Sequence, residues 1–245
     1  DEILLLDDNA FSGASIKEIH IQGNVMQISK TAFIDCEGLE KIEIEASNSW
    51  YSDIDGVAFN KEGTRLLKYP QGRADTSYTL PDTTNYIEAY AFYECKNLTA
   101  VTFPSRVGGI DNCAFKKCTS LRTISVGDIL NYIGKEAFRN CSRLTTIELP
   151  HKLYSIGNYA FDSCFDLGEV KIPEGVDVLG YSVFSNCSTL TSVDLGKECS
   201  EISSNVFENC ISLEEITLPD NVKKVGTEAF VGCEALTSVK INTHA

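Results

Sequence analysis

Apolar residues recur along this chain in columns, at a period far longer than a helix turn or a strand alternation. Phe92, Phe115, Phe138, Phe161, Phe184, Phe207 and Phe230 stand 23 residues apart without a slip. Phe33 opens the series. Counted from each Phe, a Cys follows at three, from Cys36 and Cys95 to Cys210 and Cys233. A Leu follows at six (Leu39, Leu98 to Leu236) and an Ile or Val at nine (Ile42, Val101 to Val239). Another apolar residue comes at eleven, often directly followed by Pro104, Pro150, Pro173 or Pro219. Five before each Phe stands Ile87, Ile110, Ile133, Ile156, Leu179, Ile202 or Val225. Such a fixed period marks a stack of one repeated unit, because one inserted residue would turn a core side chain to the wrong face.

The end of each repeat alternates with a strand's period of two, placing Val101 and Phe103 inward and Thr102 outward. Stacked in register, these segments predict a parallel sheet with one short strand per coil. The Ala-Phe-x-x-Cys return leg is too short for a stable helix and is read as a 3₁₀ or single helical turn. Gly134, Gly157, Gly180 and Gly226 precede it and are read as the points where the chain turns.

Leu153 to Pro173 follow almost word for word the phrase Val-x-x-Ile-Gly-x-x-Ala-Phe-x-x-Cys-x-x-Leu-x-x-Ile-x-Ile-Pro. In this the chain resembles the BspA-like, or treponemal-type, leucine-rich repeats, over nearly its whole length. The resemblance implies a right-handed leucine-rich-repeat solenoid and a bacterial, extracellular or cell-surface protein used in adhesion to host or matrix proteins. The Asn ladder of ordinary leucine-rich repeats is missing. Arg106, Ile129, Lys152, Gly175 and Glu198 fall at that position, and Asn221 alone agrees.

From Phe33 to Phe92 the spacing is 59. Within it two apolar runs flank Lys61-Glu62-Gly63-Thr64, which predicts a β-hairpin projecting from an altered coil at about 45–80. The family carries a similar Asp-Gly-Val-Leu-Phe insertion. The remainder reads as a single solenoid domain over 1–245. Neither end shows a polar capping repeat, and the chain is read as a segment of a longer protein.

Charge and chemistry narrow the function. The net charge of −14 opposes the basic footprint of nucleic-acid binding and repulsion by anionic lipid follows from it. No apolar run approaches the roughly 20 residues that cross a membrane, so membrane insertion is not expected. Eight of the ten cysteines share one repeat column and Cys199 takes an apolar position, so they read as buried free thiols. His20, His151 and His244 share no column. Asp53-Ile-Asp55-Gly56 resembles the start of a calcium loop, but its twelfth position is Thr64, and a turn is the better reading. No catalytic, metal or cofactor residue is expected.

What remains is surface. The outward strand columns, such as Thr123, Thr146, Glu169 and Ser125, Glu148, Lys171, are small and mixed in charge. Aromatic anchors lie instead near the insertion, and Trp50, Tyr51, Tyr86, Tyr90 and Tyr93 are the candidate partner-binding residues. The leading expectation is a non-catalytic interaction module for a protein or glycan macromolecule. A structural spacer and a carbohydrate-binding surface are the alternatives.

Overall fold

The computed structural model describes residues 3–241. The chain winds as a parallel β-solenoid whose neighbouring coils are offset by 23 residues, so Val101 pairs beside Ile124 and Ile124 beside Ile147. In Thr123–Ser125 the outer two residues are exposed and Ile124 is buried, as period-two alternation requires.

Each coil carries two strand segments, where the sequence pattern suggested one. The expected ladder runs through Ser77–Thr79, Ala100–Thr102, Thr123–Ser125 and Thr146–Ile147, and recurs farther along as Glu169–Lys171 beside Ser192–Asp194. A second ladder is built on the apolar column five residues before Phe. Tyr86–Ile87, Gly109–Ile110, Tyr132–Ile133 and their successors to Lys224–Val225 are two-residue strands of a ten-stranded sheet. Strands that short leave no periodicity to read.

The return leg is not helical; no helix is present among the described residues. From Phe92 to Phe230, residues two before and two after each Phe of the stack have left-handed backbone: Cys113 and Lys117 at φ 57° and 63°, Tyr159 and Ser163 at 59° and 61°. Alternating handedness aims alternate amides along the stack. The N–H groups of Tyr159, Phe161 and Ser163 donate to the carbonyls of Tyr181, Val183 and Ser185 in the next coil. Those of Asp162 and Cys164 donate within their own coil, to Tyr159 and Phe161. A 3₁₀ turn would keep these amides inside the coil and forfeit this third ladder, so the unfavourable φ is offset by hydrogen bonds between coils. Gly157 does not have such a φ. Its role is close approach, since a Cβ there would lie 2.5 Å from the Lys135 backbone nitrogen.

Inside, the Phe rings stack face to face from Phe92 to Phe230, with Phe138–Phe161 at 5.3 Å and 4° and Phe161–Phe184 at 5.5 Å and 7°. Beside them runs a column of thiols that donate back across the coils. Cys118 Sγ–H donates to the Phe92 carbonyl at 3.0 Å, Cys141 to Phe115 at 3.1 Å and Cys164 to Phe138 at 3.2 Å. The cysteines therefore do more than fill space: each supplies a small buried donor, and the sulfurs point at carbonyls of the preceding coil.

The series begins earlier than Phe33. Phe11 stacks on Phe33 at 5.6 Å and 7°, and Cys36 Sγ donates to the Phe11 carbonyl. Tyr69, 23 residues before Phe92, holds the Phe position of the altered coil and stacks on Phe92 at 5.3 Å. Tyr69 lies 36 residues after Phe33, so this coil has 13 residues more than one repeat.

Those residues do not project as a hairpin. Tyr51–Ile54, Val57–Asn60 and Arg65–Lys68 form a three-stranded antiparallel meander, with the expected turn at 61–64 between the last two. The third strand pairs parallel with Tyr86–Ile87, so the meander ends the ten-stranded sheet. It stands between two hydrophobic cores. Val57, Phe59 and Leu66 join the core of the later coils, while Ala58 joins the core of the first two.

Candidate binding site at the seam of the inserted strands

The meander is fixed to the first coils by one buried side chain that the sequence pattern did not single out. Asn48 is fully buried; its Nδ2 donates to the Gln22 and Val25 carbonyls and its Oδ1 accepts from the N–H groups of Trp50 and Tyr51. This leaves Trp50 43% exposed at the start of the meander. The Tyr51 phenol oxygen accepts from the Ile28 N–H at 3.1 Å and closes the seam between the second coil and the inserted strands.

Along that seam lies a cavity of about 200 Å³. Ile28, Phe33, Ala58 and Leu67 form its apolar wall, and Lys30, Tyr51, Asn60, Arg65, Lys68 and Glu88 supply polar groups. Glu88 holds two cations, Arg65 through Nε at 2.5 Å and Lys30 through Nζ at 2.6 Å. Burial alone would raise its pKa, but hydrogen bonds from Arg65 and Lys30 prevail and hold the carboxyl below the usual range. Lys68 is almost fully buried, and that burial pushes its ammonium pKa down.

The candidate aromatic residues reach this seam unequally. Tyr51 lines the cavity. The Arg65 guanidinium lies 4.2 Å above the Tyr86 ring, and burial pushes the Tyr86 phenol up to about 12. Tyr90 meets it through its backbone, whose carbonyl accepts from Lys68 Nζ at 3.4 Å. Tyr93 is buried at 9% exposure, packed edge-on against Tyr90 at 5.6 Å with Lys117 Nζ 5.3 Å over its ring. Tyr93 thus supports Tyr90 from beneath, although its position looked peripheral in the repeat.

Elsewhere the chemistry is spent on structure. Asp53 accepts from the N–H groups of Ile44 and Gly56, and Asp55 pairs with Arg73 at 3.1 Å. His20 is exposed beside Glu43, His151 is exposed, and His244 lies outside the described residues. Burial pushes the thiols of the inner ladder, Cys95 to Cys210, up, which disfavours the thiolate a nucleophile needs. Among the described residues no three His, Cys, Asp or Glu side chains are placed to hold a metal ion, and no helix is long and apolar enough to cross a membrane.

The sequence and the fold were compared with known proteins. The BspA type leucine rich repeat region matches in six copies, over residues 5–75, 71–191 and 154–245. No curated protein matches the sequence. Among solved structures, a leucine-rich repeat protein from Eubacterium ventriosum is 29% identical, with a TM-score of 0.84 over 94% of this chain. A leucine-rich repeat protein from Bacteroides ovatus is also 29% identical, with a TM-score of 0.67 over 78% of this chain. A leucine rich cell surface protein from Faecalibacterium prausnitzii, 24% identical with a TM-score of 0.58 over 98% of this chain, shares the fold. The present chain spans 61%, 51% and 52% of the lengths of these three.

Proposed function

We propose that this chain, which belongs to the BspA-type leucine-rich repeat family, is a non-catalytic interaction module of a bacterial cell-surface or secreted protein. It binds a host, matrix or surface macromolecule, in the adhesin-like manner associated with the family. One observation carries the reading: the repeat is broken at a single seam, and that seam brings exposed Trp50 together with half-buried Tyr51 and Tyr86 beside Arg65 and Lys30, where the outward strand columns hold no aromatic anchor. Its buried thiols, the spent carboxylates and the isolated histidines offer no reacting group, which favours binding over catalysis.

The docking patch joins Trp50 and Tyr51 of the meander to Tyr86 and Tyr90 of the next coil, with Tyr93 beneath. Rigid aromatic anchors on a fixed scaffold are where interfaces concentrate their energy. The strand face presents Thr, Ser and salt-bridged pairs such as Lys171–Asp194 at 3.6 Å, both exposed, which contribute little to affinity. A screen against immobilised matrix proteins and glycans should yield a partner. Replacing Trp50 and Tyr51 together by Ala should then weaken that partner by ~2 kcal/mol or more, and Trp50→Ala alone, at an exposed site, should weaken it with little change in melting. Unchanged affinity in that double variant, with loss on altering Glu148, Lys171 and Asp194, would move the site to the strand face and defeat the proposal.

A further inference from the structure

Lys68 stands where other coils bury a small apolar residue. It precedes Tyr69 as Ala91, Ala114, Ala137, Ala160, Val183 and Val206 precede their phenylalanines, and all six are fully buried. Lys68 is 4% exposed. An amine buried at such a point is costly unless it is paired. Its hydrogen-bond partners are neutral: Gln71 Oε1 at 3.2 Å and the Tyr90 carbonyl at 3.4 Å. Glu94, the acidic group whose charge reaches it, is already bound by Lys117 at 2.6 Å and Lys96 at 3.6 Å. The Gln71 amide nitrogen beside it is buried with no hydrogen-bond partner.

The cavity explains why the space is not closed. Elsewhere the next coil would stack directly on the small residue, but here the inserted strands hold the second coil off and Lys68 lines the gap. Its lining carries three cations, Lys30, Arg65 and Lys68, against the single carboxylate of Glu88, in a chain whose net charge is −14. Both Glu88 oxygens are engaged, so the uncommitted polar valences there are donors: an ammonium hydrogen of Lys68 and the Tyr51 hydroxyl hydrogen, whose oxygen already accepts from Ile28. The opposite wall is apolar. A cavity of ~150 Å³ is enough to hold benzene, so this one has room for a small ring or short chain.

We propose that the seam cavity is a binding site for a small free carboxylate with an apolar body, its carboxylate against Lys68 and its body against Phe33, Ala58 and Leu67. The occupant supplies the anion that Lys68 lacks. The cavity shares Tyr51 with the macromolecular patch, but Lys68→Met alters only the cavity, so either proposal can fail without the other.

The test is titration of the protein, methyl-labelled at Ala and Leu, with sodium benzoate, followed by NMR, with benzamide as the neutral isostere. Benzoate should move the Ala58 and Leu67 methyl signals saturably while Ala160 and Leu190 stay still, and benzamide should bind at least ~10-fold more weakly. Lys68→Met keeps the chain length and removes the charge, and it should abolish the shifts while the protein melts no lower than the parent. Tyr51→Phe keeps the ring and should weaken benzoate severalfold, which preserves a test if the Lys68 variant does not fold. Absence of saturable shifts at tens of millimolar benzoate, equal binding of benzamide, or undiminished binding in the foldable variants would each overturn the site.

Discussion

Raising the pH from about 8 to about 10 should remove several kcal/mol of folding stability, because the unfolded chain loses thiol protons that the buried ladder keeps. Cys95, Cys118, Cys141, Cys164, Cys187 and Cys210 are all pushed up from an ordinary value of 9.0, by burial first. A group raised in the folded state contributes its full stability below its unfolded pKa and loses it as pH rises toward the folded one. In the unfolded chain these thiols ionise near pH 9; in the solenoid they keep their protons, Cys95 toward the Tyr69 carbonyl and the other five on Phe carbonyls. Buried Tyr69 and half-buried Tyr78 are raised by the same cause and act in the same direction at higher pH. Urea unfolding across this range should show the fall, and replacing Cys141, Cys164 and Cys187 by Ala should roughly halve its slope. Stability flat to pH 10 in the parent would show that the thiols are not buried as described.

Phe161→Ala should cost ~3–5 kcal/mol, because the ring is fully buried and the stack on both sides is too regular to collapse into the gap. The loss includes face contacts to both Phe138 and Phe184. Phe165, four residues on and 45% exposed, is the control and should tolerate Ala with little effect. A Phe161→Ala protein melting within a degree or two of the parent would place the core column elsewhere.

The strand column, the Phe stack and the Cys column were legible because each repeats one residue type at one spacing. The second ladder was not, since two-residue strands such as Tyr132–Ile133 carry a single inward residue and no alternation. The left-handed turns were only partly signalled by their residues, since Asn140, Asn186, Asn205, Asn209 and Gly232 hold such positions but others do not. Tyr90, Lys117 and Glu136 adopt φ between 58° and 63°, where Gly or Asn would have signalled the bend. Tyr69 escaped because Gly72 replaces the following Cys and Asp75 the following Leu. Its phase was nevertheless readable, since Tyr78, Leu80 and Pro81 stand 23 residues before Val101, Phe103 and Pro104.

The seam was only half legible. Trp50 and Tyr51 were found as aromatic residues beside an insertion, but the insertion was read as a projecting hairpin when its alternate residues are buried on both faces. Lys68 was not singled out in the sequence; only its place in the Ala column, visible once Tyr69 is aligned with Phe92, shows that it points into the core. Asn48 carried no pattern at all, because its four hydrogen bonds are to backbone groups that no spacing rule links.

The solenoid core rests on an inward-facing thiol column beside the Phe stack, and alkylation followed by intact mass reads it directly. Folded protein treated with iodoacetamide should take up at most one label, on half-buried Cys233, since the other nine cysteines are buried. After denaturation without reductant all ten should label. Rapid labelling of several cysteines in the folded protein, or uptake that stops short of ten by even numbers after denaturation, would contradict the account.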